Sequence, residues 1–291
     1  MKIISSLFDF CRWRKSLPRS ASVGFVPTMG ALHDGHLSLV VNSLGCADIT
    51  VVSVFVNPKQ FSKNEDFDTY PRTIKEDLSK LDGLGVDVVF TPGVEDIYNK
   101  DIESFSFKDS FSTVLEGAAR PHFFPGVIDV VSRLFNIINP DFAFFGKKDA
   151  QQLLLIEKLV QLGGFSIKIV RGDTVREESG LAMSSRNQYL SSGSKKIASC
   201  LNLSLVFAKN LLLTGETNVN KVKAGMSQII GEEKNIVIDY LSVVCLDTLT
   251  EVEGVISGPV LISLAVVLEG VRLIDNVFYD SPSRSKPMST L

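Results

Sequence analysis

The chain has 291 residues, long for one hydrophobic core, which makes two domains the prior expectation. It is 45% hydrophobic and 22% charged with a net charge of −3, which excludes a mainly disordered chain and a nucleic-acid-coating surface. A small phosphorylated ligand stays open, because that needs only local charge.

The N-terminal MKIISSLFDFCRWRK carries Asp9 and lacks a long apolar centre, so it does not read as a signal peptide. The four cysteines, Cys11, Cys46, Cys200 and Cys245, lie far apart, without metal-knuckle or redox spacing. They read as free thiols, with a reducing cytoplasm as the default compartment. From there strand-length apolar runs alternate with helical patterns. SVGFVP (22–27) predicts a first strand, and a helix runs on from about Gly35. DITVVSVFV (48–56) is nearly continuous and β-branched, the pattern of a strand buried on both faces of a parallel sheet. TIKEDLSKLDGLG (73–85) predicts a helix stopped by glycines, and VDVVFTP (86–92) a strand. A helix over 126–140, a strand over 141–146, a helix over 149–163 and a strand over 165–170 follow. This order predicts a doubly wound, Rossmann-like parallel α/β sheet.

After Val170 the rhythm changes. RGDTVREESGLAMSSRNQYLSSGS (171–194) is polar and aperiodic and reads as a hinge or a long functional loop. Two helical stretches (about 195–213 and 219–231) and two strands (235–244 and 258–270) predict a smaller α+β domain. The boundary is expected at 174/175, giving domains 1–174 and 175–291. The longest apolar run, VISGPVLISLAVVL, has 14 residues, too short to span a bilayer, and reads as a buried strand, so no membrane partner is expected. The tail DSPSRSKPMSTL reads as loose.

PTMGALHDGH, at the junction of the first strand and first helix, holds two of the three histidines, His33 and His36, one turn apart. A helix N-terminus offers free N–H groups and a positive dipole end, a natural phosphate seat. Gly30 and Gly35 permit close approach of a ligand to the backbone, and imidazole donors could stabilise developing charge on phosphoryl oxygens. The competing reading is a surface or metal-ligating pair, but no third ligand at zinc spacing is nearby. VNPKQF (56–61) brings the carboxamides of Asn57 and Gln60 to the same sheet edge, and alone it could be an ordinary polar turn. FGKKDAQQ (145–152) places Lys147 and Lys148 beside a second helix N-terminus, with Asp149 a good N-cap and Gln152 one turn in. MSSRN (183–187) supplies hydroxyls and a guanidinium suited to clamping a polyphosphate, or to a plain capped turn.

Taken together, PTMGALHDGH, VSVFVNPKQF, YPRT, LEGAARP, FGKKDAQQ, GLAMSSRN and RLIDN resemble, in order and spacing, the motifs of the pantothenate synthetase (pantoate–β-alanine ligase) family. The likeness covers essentially the whole chain. It implies a member of the nucleotidylyltransferase superfamily that uses ATP and Mg²⁺ to make a pantoyl adenylate, releases pyrophosphate, and passes the acyl group to β-alanine. By position, Met29, Gly30, Ala31, Leu32, His33, Asp34, Gly35 and His36 would hold ATP, with His33, His36 and Lys148 the catalytic groups at its phosphates. Gly146, Lys147, Lys148 and Asp149 would contact the nucleotide, and Val175 the adenine through its backbone. Met183, Ser184, Ser185 and Arg186 would close over the triphosphate. Gln60 and Gln152 would hold pantoate, Gln60 also lying near β-alanine. The resemblance identifies no metal ligands, and it implies a cytoplasmic homodimer that binds no nucleic acid. The alternatives are a nucleotidylyltransferase acting on another small acid or phosphate ester, and a non-catalytic nucleotide-binding relative. Two departures stand out. RPHFFPGV has His122 where the family carries glycine and Phe123 where it carries histidine, so either the loop shifts register or that histidine's role is missing. Asp173 stands where the family commonly has proline before Thr174, which leaves the start of the hinge looser.

Overall fold

A computed structural model describes residues 1–62 and 65–280. It divides into two compact units, one of Met1–Val175 with Met183–Ser185, the other of Arg176–Ala182 with the chain from Arg186 onward.

The first unit contains β1 (Lys2–Ile4), α1 (Leu7–Ser16), β2 (Val23–Thr28), α2 (Asp34–Cys46), β3 (Ile49–Val54), α3 (Ile74–Leu84) and β4 (Val88–Phe90). Two short helices follow, α4 (Val94–Ile97) and α5 (Glu116–Ala119), then α6 (Phe123–Ile138), β5 (Phe142–Gly146), α7 (Ala150–Gly163) and β6 (Lys168–Gly172). The six strands pair in the order β1-β4-β3-β2-β5-β6, and every pairing is parallel. This is the doubly wound α/β sheet that the alternating runs predict. From β2 the chain winds outward through β3 and β4, and later returns to place β5 on the other flank of β2. The switch point therefore lies between β2 and β5, where such sheets bind ligands at their carboxyl ends. Val26, Val52, Val89 and Phe144 are buried here against Leu39 and Val40 of α2 and Leu81 of α3.

Several boundaries differ from the sequence reading for local reasons. β1 and α1 are not expected from the N-terminal stretch, yet Arg14 of α1 donates from Nε to the Ile138 carbonyl at 2.9 Å and from a terminal nitrogen to the Asn139 carbonyl at 2.9 Å, closing the end of α6. α6 starts at Phe123 rather than Gly126, because Pro125 falls in the first helical turn, where no N–H partner is required. β6 starts at Lys168 rather than 165, because the Phe165 N–H closes α7 on the Val160 carbonyl and its ring packs 5.5 Å from Phe135.

In the second unit, α8 (Ser192–Ala198), α9 (Cys200–Leu213) and α10 (Val219–Gly231) precede an antiparallel sheet of β7 (Ile236–Cys245), β8 (Val260–Leu268) and β9 (Val271–Tyr279), in the order β7-β8-β9. The strand expected over 258–270 ends at Leu268. Glu269 and Gly270 take φ of 51° and 78°, the two left-handed positions of a tight hairpin turn, and VRLIDNVFY continues as a strand the sequence reading missed. Among the described residues one helical stretch, Ser192–Leu213, is long and apolar enough to cross a membrane; its Ala198, Leu201, Leu205, Ala208 and Leu212 lie in the core of this unit. The aperiodic 171–194 segment is structured: Arg171 and Gly172 belong to β6, Arg176 bridges Ala182 in a tight hairpin, and Ser185–Tyr189 forms a 3₁₀ turn. Arg176 anchors that hairpin through both oxygens of buried Asp275, at 2.6 and 3.1 Å. Residues 281–291 of the expected loose tail lie outside the described residues.

Candidate active site

The loop between β2 and α2 is shaped by two consecutive left-handed residues, Gly30 at φ 82° and Ala31 at φ 51°. A Cβ on Gly30 would meet Asp77 Oδ2 and Val54 Cγ1, each at 3.1 Å, so glycine suits the positive φ and avoids a tight contact with the carboxylate that holds the loop. The bend aims the Ala31 and Leu32 N–H groups at Asp77 of α3, which accepts them at 2.9 and 2.7 Å. Asp77 is 1% exposed, and Thr73 Oγ1 lies 3.3 Å from its Oδ2. A buried carboxylate is tolerable only with such donors, and in return it fixes the loop. Lys80, one turn further along α3, donates to the Leu32 carbonyl at 2.5 Å.

His33 is the N-cap of α2. Its Nδ1 accepts the Gly35 N–H at 3.1 Å, and the His33 N–H points at His36 Nδ1 at 3.4 Å, a reciprocal capping box. A backbone N–H can only donate, so both Nδ1 atoms are bare and both rings carry their proton on Nε2. Burial, then the Lys148 ammonium, hold the His33 pKa down to about 4; burial, then His33 itself, hold His36 down to about 3. Both imidazoles are therefore neutral at physiological pH. Their centroids lie 4.0 Å apart, and each carries its remaining N–H on Nε2 at the positive dipole end of α2.

β5 delivers Gly146–Asp149 to the same end of the sheet as a 3₁₀ turn leading into α7. Lys148 and Asp149 act electrostatically on both imidazoles. Asp149 occupies the N-cap position of α7 but makes no capping hydrogen bond; its Oδ1 instead takes Lys148 Nζ at 3.2 Å. Lys147 Nζ pairs with Asp173 Oδ1 at 2.6 Å, so the residue that replaces the family's proline gains a partner in this chain. The two adjacent glutamines divide. Gln151 is buried and staples three backbone groups, those of Phe111, Val114 and Glu116. Gln152 is half-buried and makes no hydrogen bond among the described residues.

Part of MSSR joins this unit. The Met183 N–H bonds the Val175 carbonyl at 3.0 Å, Met183 Cβ lies 3.8 Å from where a Cβ on Gly35 would sit, and Ser185 Oγ donates to the Ala31 carbonyl at 3.1 Å. The first unit thus gathers Met29–His36, Gly146–Asp149, Val175, Met183, Ser184 and Ser185, while Arg186 belongs to the second unit. Gln60 is buried in a 3₁₀ turn after β3. His122 Nε2 sits 3.2 Å from Glu65 Oε1, Arg120 grips the same carboxylate at 3.0 and 2.5 Å, and Phe123 lies under the Arg120 guanidinium.

Sequence reasoning missed Asp77 and Lys80. Their signal was present: Asp77 sits four residues before Leu81 on the buried stripe of α3, where a lone carboxylate must be serving buried donors.

Fold and site together define a doubly wound α/β unit whose imidazoles and lysines gather at the carboxyl end of its sheet. Comparison with known proteins sharpens this. The profile of the pantoate–β-alanine ligase family matches residues 2–278. The chain is 46% identical to the pantothenate synthetase of Acetivibrio thermocellus over 280 residues, 96% of this chain and 99% of that protein. It is 47% identical to that of Oceanobacillus iheyensis over 277 residues, 95% of this chain and 97% of the relative. Among solved structures, pantothenate synthetase from Thermus thermophilus superposes with a TM-score of 0.88 at 38% identity, covering 95% of this chain and 99% of that one. A pantoate–β-alanine ligase from Francisella tularensis, solved with β,γ-ATP and β-alanine, gives a TM-score of 0.77 at 33% identity, covering 96% and 97%. The chain belongs to the pantoate–β-alanine ligase family.

Proposed function

We propose that this chain joins pantoate to β-alanine at the expense of ATP, giving pantothenate, AMP and pyrophosphate. It is an ATP-dependent ligase. The observation that carries this reading is the family match over residues 2–278, and it is supported by two neutral imidazoles at the start of α2 with Lys148 nearby.

In the first step a pantoate carboxylate oxygen attacks the α-phosphorus of ATP, the P–O bond to the β-phosphate breaks, and pyrophosphate leaves with the electron pair. The attack brings two anions together, so the barrier falls chiefly through placed donors and cations. His33 and His36 offer neutral Nε2–H donors to phosphoryl oxygens, with no ring proton lost or gained. The α2 N-terminus adds the positive end of its dipole, and Lys148 supplies the nearby positive charge. Gly146, Lys147 and Asp149 line the nucleotide, and Val175 meets the adenine through its backbone. Among the described residues no three His, Cys, Asp or Glu side chains form a metal cage. Magnesium, as part of the ATP substrate, would supply charge neutralisation to the leaving pyrophosphate. Gln60 and Gln152 hold pantoate through their carboxamides. In the second step the β-alanine amine attacks the acyl carbon, AMP departs, and the amine proton is released.

The acyl adenylate must be kept from water. Met183, Ser184, Ser185 and Arg186 close over the triphosphate as the C-terminal domain moves, with 171–182 as the hinge. A cytoplasmic homodimer completes the reading, on resemblance to the family alone.

The test is pyrophosphate release from ATP and magnesium. With pantoate alone, one equivalent per site is expected; with β-alanine added, steady turnover to AMP and pantothenate. Release that does not depend on pantoate, or that another small acid supports equally, would sink the assignment.

A further inference from the structure

The turn after β3 holds a hydrogen-bonded chain from Tyr98 through Asn57 to Gln60. Asn57 is 1% exposed, and two backbone groups settle which way its carboxamide points. The Lys59 N–H can only donate, so the atom 3.2 Å from it is Oδ1. The Gly126 carbonyl can only accept, so the atom 3.2 Å from it is Nδ2. The rest follows by elimination. Tyr98 Oη, 2.5 Å from Oδ1, must donate to it. The Gln60 atom 2.8 Å from Nδ2 must accept, and is Oε1. What Gln60 has left is Nε2 with both hydrogens. The residue is 7% exposed, and that nitrogen, bonded to no group among the described residues, keeps contact with solvent. A donor held in place on a mostly buried side chain is left to water or to an arriving acceptor, and a substrate oxygen that replaces the water meets N–H groups already aimed.

The frame around this chain is firm. A Cβ on Gly126 would lie 2.3 Å from the Lys59 carbonyl oxygen, so only glycine lets α6 approach closely enough to reach Asn57. The Tyr98 ring lies under two cations, Lys59 Nζ at 4.0 Å and the Arg133 guanidinium at 5.4 Å, and both cations are tied to Asp129, at 2.7 and 2.8 Å. Burial, then the Asp129 charge, push the phenol pKa up, so the hydroxyl keeps its proton.

We propose that Tyr98 is a positioning residue for the acid substrate: by donating to Asn57 it locks the Gln60 carboxamide so that Gln60 presents only N–H donors. The pocket then selects an acceptor oxygen, as a carboxylate or a hydroxyl lone pair supplies, and turns away a donor at that point. This rests on Gln60 lying in the pantoate site as proposed above.

The test is a double-mutant cycle on KM for pantoate, with KM for ATP and kcat measured alongside. Tyr98→Phe keeps the ring and its cation contacts and removes only the hydroxyl. It should raise KM for pantoate about three- to tenfold, the span of one hydrogen bond, with KM for ATP and kcat unchanged. In a Gln60→Ala background the same change should have no further effect, which a merely structural role would not reproduce. Asn57→Asp, which leaves Gln60 Oε1 without a donor, should raise KM for pantoate more than Tyr98→Phe does. A Gln60→Ala protein with unaltered KM for pantoate overturns the pocket assignment itself. A Gln60→Ala effect without a Tyr98→Phe effect overturns the relay alone. So does a Tyr98→Phe effect of equal size in both backgrounds, or one shared by ATP.

Discussion

Two segments carry the groups assigned to the triphosphate, and they are built in opposite ways. Loop 29–36 is tied down along its length: Asp77 holds Ala31 and Leu32, Lys80 holds the Leu32 carbonyl, His33 Nδ1 takes the Gly35 N–H, and His36 Nδ1 takes the His33 N–H. The 171–191 segment passes between two compact units, leaving the first at Val175, returning for Met183–Ser185, and leaving again at Arg186. The division falls inside MSSR itself. A loop that must stabilise a transition state gains from donors already in place, because no reorganisation is then needed when charge develops. A segment that must admit substrate and then exclude water gains from being shared between bodies. On the proposed reading, the same ligand would be served by preorganisation on one side and by a chain able to move on the other.

The sharpest way to break this comparison is His36→Ala. If the loop acts through fixed neutral donors, losing one should slow adenylate formation about 10²- to 10³-fold, with the melting temperature close to wild type. Single-turnover formation of pantoyl adenylate at the wild-type rate would remove His36 from the reacting end. The next effect concerns what fixes the loop. Asp77→Asn keeps the shape of the side chain but turns one of its two accepting oxygens into a donor, facing the Ala31 or the Leu32 N–H. Each hydrogen bond to a charged acceptor is worth about 1.5–3 kcal/mol, so denaturant unfolding should show a loss of that order. Adenylate formation should fall while KM for pantoate holds. An unchanged midpoint and an unchanged rate would show that the loop keeps its shape without Asp77.

Much of this was legible in the sequence because periodicity and strand ends are local. Val23–Thr28, Ile49–Val54 and Phe142–Gly146 announce themselves as buried strands, and the chemistry-bearing residues follow directly after them. That is why His33, His36, Gln60 and Lys148 could be singled out. What was not legible is long-range. Asp77 lies 46 positions from Ala31, and Tyr98 lies 41 positions from Asn57, so their roles exist only once α3 and the α4 region have packed. Asp149 misled in the other direction. An aspartate ahead of a helix reads as a cap, yet here it spends its carboxylate on Lys148. His122 was unreadable because its partner Glu65 comes from a distant loop.

The smallest expected effect tests the moving half of the comparison. Residues 171–182 read as a hinge in the sequence, but the hairpin from Arg176 to Ala182 is braced: Glu177 and Leu181 are bonded backbone to backbone at 2.8 Å, and Arg176 grips Asp275. A braced hairpin moves as a piece, so the changes in φ and ψ should concentrate at its ends, around 173–175 and 183–186. Asp173 stands there where the family commonly has proline, and the Lys147–Asp173 pair is exposed enough to break readily. Binding energy from charge-assisted bonds to the triphosphate would shift the population toward closure. Hydrogen exchange across 171–190, with and without a non-hydrolysable ATP analogue plus pantoate, separates the possibilities. Closure about the hairpin ends predicts exchange at 183–187 slowed about tenfold on ligand binding, roughly 1.4 kcal/mol of added protection. The amides of 177–181 should change little, since their bonds persist in both states. Protection spread evenly over 171–190 would mean that the whole segment folds onto the ligand. Unchanged exchange at 183–187, at concentrations shown to saturate the site, would withdraw Met183 to Arg186 from the triphosphate and leave loop 29–36 and Lys148 to bind it alone.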